Sequence, residues 1–484
     1  MTRLLLPLLA LLALFSEARP QDADPVEVIE DPGPDRATPP AVRPPVRLDL
    51  PDPTPLSDGR VQHVRVEGVR RVEVSLRLPV GRVDLCPDDR TPCDALESLW
   101  ALGSEAHPPE AMEPALDRLD AWIAADVHSR ATYLSLSVPR ESLAEGVGLL
   151  DEVLRQPVFS KVELRRAAAD ARYDLLEADP TDLDAVSYGA LDHGWFPPES
   201  PFGARPDPDA WRRLAPGDVA ALHQALLAQG SMEALVVGDL SEAEAAAVAP
   251  LLEGFTAAGP PAAPPLEPLP EGLRVIGVDL PSGGQTAIRL RTAAPVAGDP
   301  ERVDFALADF ALCGAFKSRI NTVLREEKGW TYGASSWHGA HPAYGTWTLA
   351  VDVPQANVLG AIDEIERLLS EYVEEGSTPE EVDAAWRDEL TWWNRMQLTA
   401  GHAAGFYGDV LGLGESVADA AARADARARG SAESTRSAAA PWLAPDAPRL
   451  WVIVGDQAVL APMLESRGWP VEWISPEDAV LGAL

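Results

Sequence analysis

Three cysteines in 484 residues are too few for a disulfide-stapled scaffold. Cys86, Cys93 and Cys313 also lack the second pair of soft ligands that a structural zinc site needs. Cys86 and Cys93, on either side of Pro87-Asp88-Asp89-Arg90-Thr91-Pro92, could close a small disulfide loop after export or stay reduced. Positive charge is scarce: 40 Lys and Arg stand against 76 Asp and Glu, a formal charge of −36. Such a surface repels phosphate backbones and anionic lipid, which argues against nucleic acid as a partner, although the same excess also serves solubility. Apolar runs long enough to span a bilayer are missing, so no membrane span is expected. Histidine is sparse as well. His63, His107, His128, His193, His223, His338, His341 and His402 include no pair at i and i+4. His338 and His341, three apart beside Gly339 and Pro342, read as surface or packing residues at a strand end.

What is present is a globular composition, 46% hydrophobic and 24% charged, too long for one core. Residues 1–18 read as a secretory signal: Arg3, the apolar run from Leu4 to Phe15, then Ser16-Glu17-Ala18. Export to the periplasm or the extracellular space is the expectation. Residues 19–60, crowded with Pro and acidic residues, read as an extended arm. A first domain is expected over 61–258, a Pro-rich linker over 259–268 and a second domain over 269–484. Strand alternation starts near Val61. Helices are predicted over 94–102, 112–125, 143–155 and 160–177, and strands over 131–138 and 234–239.

The second half repeats the first. Val236-Val237-Gly238-Asp239 has a counterpart in Ile453-Val454-Gly455-Asp456, 217 positions on. Ser160-Lys161-Val162-Glu163, opening a helix, has one in Thr378-Pro379-Glu380-Glu381. Landmarks at nearly one offset predict a duplicated unit.

The stretch Phe316-Lys317-Ser318-Arg319-Ile320-Asn321-Thr322-Val323-Leu324-Arg325-Glu326-Glu327-Lys328-Gly329-Trp330-Thr331-Tyr332-Gly333 resembles the C-terminal-domain signature of the pitrilysin/insulinase zinc peptidases, the family of the mitochondrial processing peptidase. Weaker matches in order are Phe159 and Glu163, Asp179-Pro180, and Pro201-Phe202-Gly203. The resemblance implies an α+β fold of two duplicated insulinase-like domains, each an antiparallel-rich sheet packed with helices, together forming half of a clamshell. It also implies an unfolded peptide as substrate, added as a strand to a sheet edge.

Active members carry His-x-x-Glu-His on a helix, two imidazoles on one face holding zinc and the glutamate acting as general base. Alignment on Gly103 sets that motif at Asp94-Ala95-Leu96-Glu97-Ser98. Both imidazoles are replaced, by Asp94 and Ser98, while Glu97 stands at the base position. Glu163 matches a family glutamate, and Asp170 falls where the last ligand belongs. The bland reading has Asp94 capping a helix and Glu97 and Asp170 solvated. No metal or cofactor is therefore expected in this chain, and zinc only in a partner subunit. Arg325 and Tyr332 keep the spacing of a family pair that donates to the polarised substrate carbonyl across the chamber. The competing view is that Arg325 merely ends a helix and Tyr332 packs in a strand. Trp386, Trp392 and Trp393 either line the chamber or pack the core. Three functions follow: a non-catalytic subunit serving an active His-x-x-Glu-His sister or working as a homodimer, a metallopeptidase with altered ligands, or a purely structural or peptide-binding protein.

Overall fold

The computed structural model describes residues 51–176, 182–197, 200–203, 209–257, 271–281, 284–396 and 398–481. The signal-like leader, most of the arm and the whole of the linker lie outside them, as do Asp179-Pro180. Arg47–Leu484 is one compact unit; the other, Met1–Val46, falls outside the described residues.

The fold is mixed α+β and built on two six-stranded sheets. The first contains β1 (Thr54–Leu56), β2 (Val61–Arg65), β3 (Arg71–Leu78), β4 (Trp122–Val127), β5 (Thr132–Pro139) and β6 (Glu233–Gly238), in the order β1-β2-β6-β3-β5-β4. The second contains β7 (Leu273–Asp279), β8 (Gln285–Ala293), β9 (Ala334–Ala340), β10 (Gly345–Pro354), β11 (Arg449–Gly455) and β12 (Val471–Ile474), in the order β12-β7-β11-β8-β10-β9. Apart from the flanking β1 and β12, the two orders are one topology. β2 and β6 pair in parallel, as do β7 and β11, and the other shared pairings are antiparallel. The Val-Gly-Asp landmarks end β6 and β11. Ordered structure begins before the alternation at Val61, because β1 adds antiparallel to β2 within the stretch read as an arm.

Alternation along β3 decides which face buries what. Val72, Val74, Leu76 and Leu78 are buried in the first core, leaving Glu73, Ser75 and Arg77 on the reverse face. The helices α1 (Thr91–Leu99), α2 (Pro109–Arg118), α3 (Leu143–Arg155) and α4 (Lys161–Leu176) follow in the chain. Leu96, Leu99, Leu150 and Val153 of α1 and α3 enter that core, and the Trp100 indole donates to the Val153 carbonyl at 3.0 Å. The predicted helix over 112–125 is corrected. It stops at Arg118, Asp120 takes a left-handed turn (φ 50°), and Trp122–Val127 becomes β4, hydrogen-bonded to β5. The apolar residues of this stretch fit a strand once β5 supplies a ladder partner.

Each half lends a helix to the other. α5 (Leu183–Trp195) belongs to the first half in sequence. Its Val186, Ala190, Leu191 and Trp195 nevertheless pack on Ile276, Val278, Leu450 and Val452 of the second sheet. In the second half come α6 (Val358–Glu375), α7 (Pro379–Met396) and α8 (Ala400–Gly412). Ala403, Phe406, Tyr407 and Val410 of α8 pack on Val64, Leu235 and Val237 of the first sheet. Trp386 and Trp393 of α7 join this cluster, whereas Trp392 is partly exposed. Separating the halves would uncover both clusters, which explains why they form one unit.

Candidate functional site

α1 carries Asp94, Glu97 and Ser98, the residues that the resemblance sets against the zinc motif, and the chain itself supplies the neighbouring cations. Gly81 lies so close to the 128–130 loop that a Cβ there would sit 2.4 Å from the His128 carbonyl oxygen. Its lack of a side chain lets the Arg82 amide donate to that oxygen at 2.9 Å. Arg82 is thereby aimed at α1: its Nη2 is 2.9 Å from Glu97 Oε2 and 3.4 Å from Asp94 Oδ1. Arg90 Nε bonds the other Asp94 oxygen at 2.8 Å, and the Val127 amide donates to Glu97 Oε2 at 2.9 Å. Ser98 Oγ donates to the Asp94 carbonyl of its own helix. A disulfide joins Cys86 and Cys93, tying the segment after Arg82 to the first turn of α1.

α4 packs against α1, yet among the described residues no hydrogen bond or ion pair joins Glu163 or Asp170 to this network. The Glu163 amide caps its helix on Ser160 Oγ, and Asp170 is exposed. Zinc needs three strong ligands with an open position. Here both carboxylates of α1 are bound to guanidinium groups, and no cluster of three metal-binding side chains occurs among the described residues. The donor set does not fit zinc. Sequence reasoning missed Arg82, because nothing local marks an arginine 12 positions before Asp94 as its partner.

The second site is the Arg325–Tyr332 segment, where most of the signature is scaffolding. Arg319 forks onto Glu381 of α7 (Nε–Oε1 2.7 Å, Nη2–Oε2 2.8 Å) and lies 4.9 Å over the Tyr372 ring. Asn321, buried, donates to the Ala334 carbonyl at 2.8 Å and accepts from the Ala334 amide at 2.7 Å. These two bonds clamp the start of β9 to the helical turn carrying Arg325. Trp330 lies against Gly360 of α6, where a Cβ would come within 2.8 Å of the ring. The segment is held at both ends, with Glu326, Glu327 and Lys328 exposed along it and Arg325 half-buried. Arg325 is 4.1 Å over the Phe316 ring with Nη1 on Glu326, and Tyr332 is 97% exposed. Tyr332 is therefore not packed in a strand.

His338 and His341 do not form a metal pair either. His338 Nε2 meets the Pro295 carbonyl at 2.8 Å, and His341 Nε2 meets Ser129 Oγ at 3.0 Å. Burial lowers both imidazoles, His341 to about 4.

Residues 213–387 match the family model described as the peptidase M16 inactive domain, M16 being the pitrilysin/insulinase family. No curated protein matches the sequence. Among solved structures, the peptidase M16 inactive domain from Pseudomonas fluorescens superposes with TM-score 0.70 at 18% identity, over 82% of this chain and 95% of that one. A protease from Helicobacter pylori gives 0.69 at 15% identity, over 82% and 96%. The periplasmic protease PqqL from Escherichia coli gives 0.67 at 12% identity, over 82% of this chain and 44% of that one.

Proposed function

Starting from a homologue of the M16 inactive domain, we propose that this chain is the non-catalytic subunit of an exported peptidase, binding unfolded peptide and lending Arg325 and Tyr332 to the zinc site of an active His-x-x-Glu-His sister. The observation that carries the reading is the Tyr332 phenol, 97% exposed on a loop clamped by Asn321 and Trp330. A loop held at both ends that projects an unpacked aromatic suits a contact made outside this chain. Arg82 supports the same division of labour, since it neutralises Asp94 and Glu97 where a catalytic cation would otherwise be required. β4, the last strand of the first sheet and a neighbour of α1, offers the edge for an added peptide strand. Export rests on the leader-like first 18 residues, and among its structural neighbours is one described as periplasmic. The two insulinase-like domains are taken as 61–258 and 269–484, joined by the Pro-rich linker.

Reconstitution tests this. The chain is purified with and without a sister bearing an intact His-x-x-Glu-His, and cleavage of an unstructured basic peptide is followed. Turnover well above that of either chain alone is expected from the pair. Equal turnover by the sister alone would remove the proposed role.

A further inference from the structure

The gap between lent helix and sheet is filled in one half and open in the other. α5 and α8 are both 13 residues long and coincide at the 217-residue offset. Asp184, Tyr188 and Asp192 therefore correspond to Gly401, Gly405 and Asp409. In the sheets, Arg289 and Arg291 stand opposite Val452 and Leu450, while Ser75 and Arg77 stand opposite Leu235 and Glu233. Leu235 and Glu233 map to Val452 and Leu450 at that offset, so through these partners Ser75 stands in the place of Arg289 and Arg77 in that of Arg291.

In the second half Arg289, 1% exposed, fills the gap. Its Nη2 meets Asp184 at 2.6 Å, its Nη1 meets Asp352 at 2.8 Å, and its guanidinium lies 4.9 Å over the Tyr188 ring. Arg291 meets Asp192 at 2.7 Å. In the first half the ring, the guanidinium and both of its carboxylates are missing, since Asp184 becomes Gly401 and Asp352 aligns in register with Ser137, and β3, β5, α8 and the 128–131 and 340–342 segments line a cavity of about 1220 Å³. Close packing does not demand these glycines, since a Cβ at Gly405 or Gly408 meets nothing within 4 Å. Glycine inside a helix is unfavourable, so its repetition here has the effect of keeping volume open.

Carboxylates outnumber guanidinium groups in this lining, which contains Glu73, Asp84, Asp126, Asp409 and Glu415 against Arg77 and Arg130. Asp409, the counterpart of Asp192, has no ion-pair partner among the described residues, and Glu73 and Asp126 line the same space. Arg77, 8% exposed, also lines it; its Nη1 is neutralised by Glu233 at 2.7 Å, and its Nε has no partner. Arg289 leaves Nε unpartnered too; the two arginines differ in that Asp184, Tyr188 and Asp352 enclose Arg289, whereas Arg77 pairs with Glu233 alone among the carboxylates described. Burial raises the carboxyls of Glu73 and Asp409, the cost that a bound cation would relieve.

We propose that this cavity binds a guanidinium group, supplied by a peptide arginine or by a free small molecule, in the place that Arg289 occupies in the other half. The site lies on the reverse face of the first sheet from α1, and its occupancy does not depend on a sister chain.

The test is calorimetric titration of the full chain with Nα-acetyl-L-arginine amide and with its uncharged citrulline counterpart. The arginine probe is expected to bind at least about tenfold tighter. Ser75→Arg and Gly405→Tyr, which rebuild the filled arrangement, should each weaken it by about tenfold or more with Tm unchanged or raised. Should Ser75→Arg fail to fold, Glu73→Gln serves, with clearly weaker binding expected. An alanine pentapeptide with central arginine separates the sources: much tighter binding assigns a polypeptide, equal binding a small molecule, and both uphold the site. Equal binding of arginine and citrulline probes, no binding by the wild type, or unchanged binding by a folded Ser75→Arg chain overturns it.

Discussion

In a complex with a zinc-bearing sister, Arg325→Ala and Tyr332→Phe are each expected to lower kcat/KM by about 10²–10³-fold, the range for removing one donor to a developing oxyanion. The loss should fall on chemistry and leave folding intact. Tyr332 buries almost nothing, and Arg325 gives up a surface ion pair with Glu326 and a stack on Phe316, itself 65% exposed, each worth about 0.5–1 kcal/mol or less. Thermal unfolding of the variants should therefore match the parent chain. Two controls make the result specific. Asn321→Ala removes both clamps on Ala334 and should cost about 1–3 kcal/mol of stability as well as activity, because the loop is released. Glu97→Gln should leave kcat/KM of the pair unchanged, since that carboxylate is engaged by Arg82 and Val127. A wild-type rate from the Arg325→Ala pair would mean that the loop is vestigial.

Lowering the pH from 7 to 4 is expected to remove about 3 kcal/mol of stability through His223 alone, at 1.36 kcal/mol per pH unit of displacement. His223 is 1% exposed, edge-on to Trp100 with ring centroids 5.1 Å apart, with Nε2 on the Leu154 carbonyl at 3.1 Å. Desolvation lowers it from 6.5 to about 4. A depressed imidazole means that the unfolded chain takes up its proton first. The stabilising contribution is thus complete above pH 6.5 and drains away as pH falls toward 4. His341, lowered by burial among Phe202 and Tyr344, acts in the same direction. Asp309 opposes them: its carboxyl is raised by burial while Ser336 and the Trp347 indole donate to it. It favours the fold at low pH and loses that contribution as pH rises. Urea unfolding at pH 7 and pH 4 checks the balance. His223→Gln should be weaker at pH 7 and visibly flatter between the two, and an unchanged slope would show that His223 does not titrate in this window.

The elements that sequence located well are those whose own residues determine them. α3 and α4 bury one stripe at helical spacing, and β5 alternates between a core face and a polar one, so each is legible in isolation. The repeat was visible through two short landmarks, and its offset holds across α5 and α8 even though the residues facing the sheets there differ in kind. Which sheet a helix covers is another matter. The stripe on α5 fits either sheet, and only the assembled chain sends it to the second. The failure over 112–125 has the same origin, since Trp122–Val127 becomes a strand because β5 is there to pair with. Around Asp94 and Glu97, the absence of imidazole was plain from sequence, whereas the pairing of both carboxylates with Arg82 depends on the tight approach of Gly81 to the 128–130 loop. The signature around Arg325 was legible as a unit. Its division into clamps (Arg319, Asn321, Trp330), a half-buried Arg325 and a projecting Tyr332 required coordinates.

The most direct test of the account is zinc content and peptide turnover in the isolated, purified chain. Substoichiometric zinc after equilibration and dialysis, with no cleavage of an unstructured basic peptide, is the expected outcome, because Asp94 and Glu97 are already paired with guanidinium groups. One tightly held zinc per chain together with cleavage that stops on chelation would contradict it.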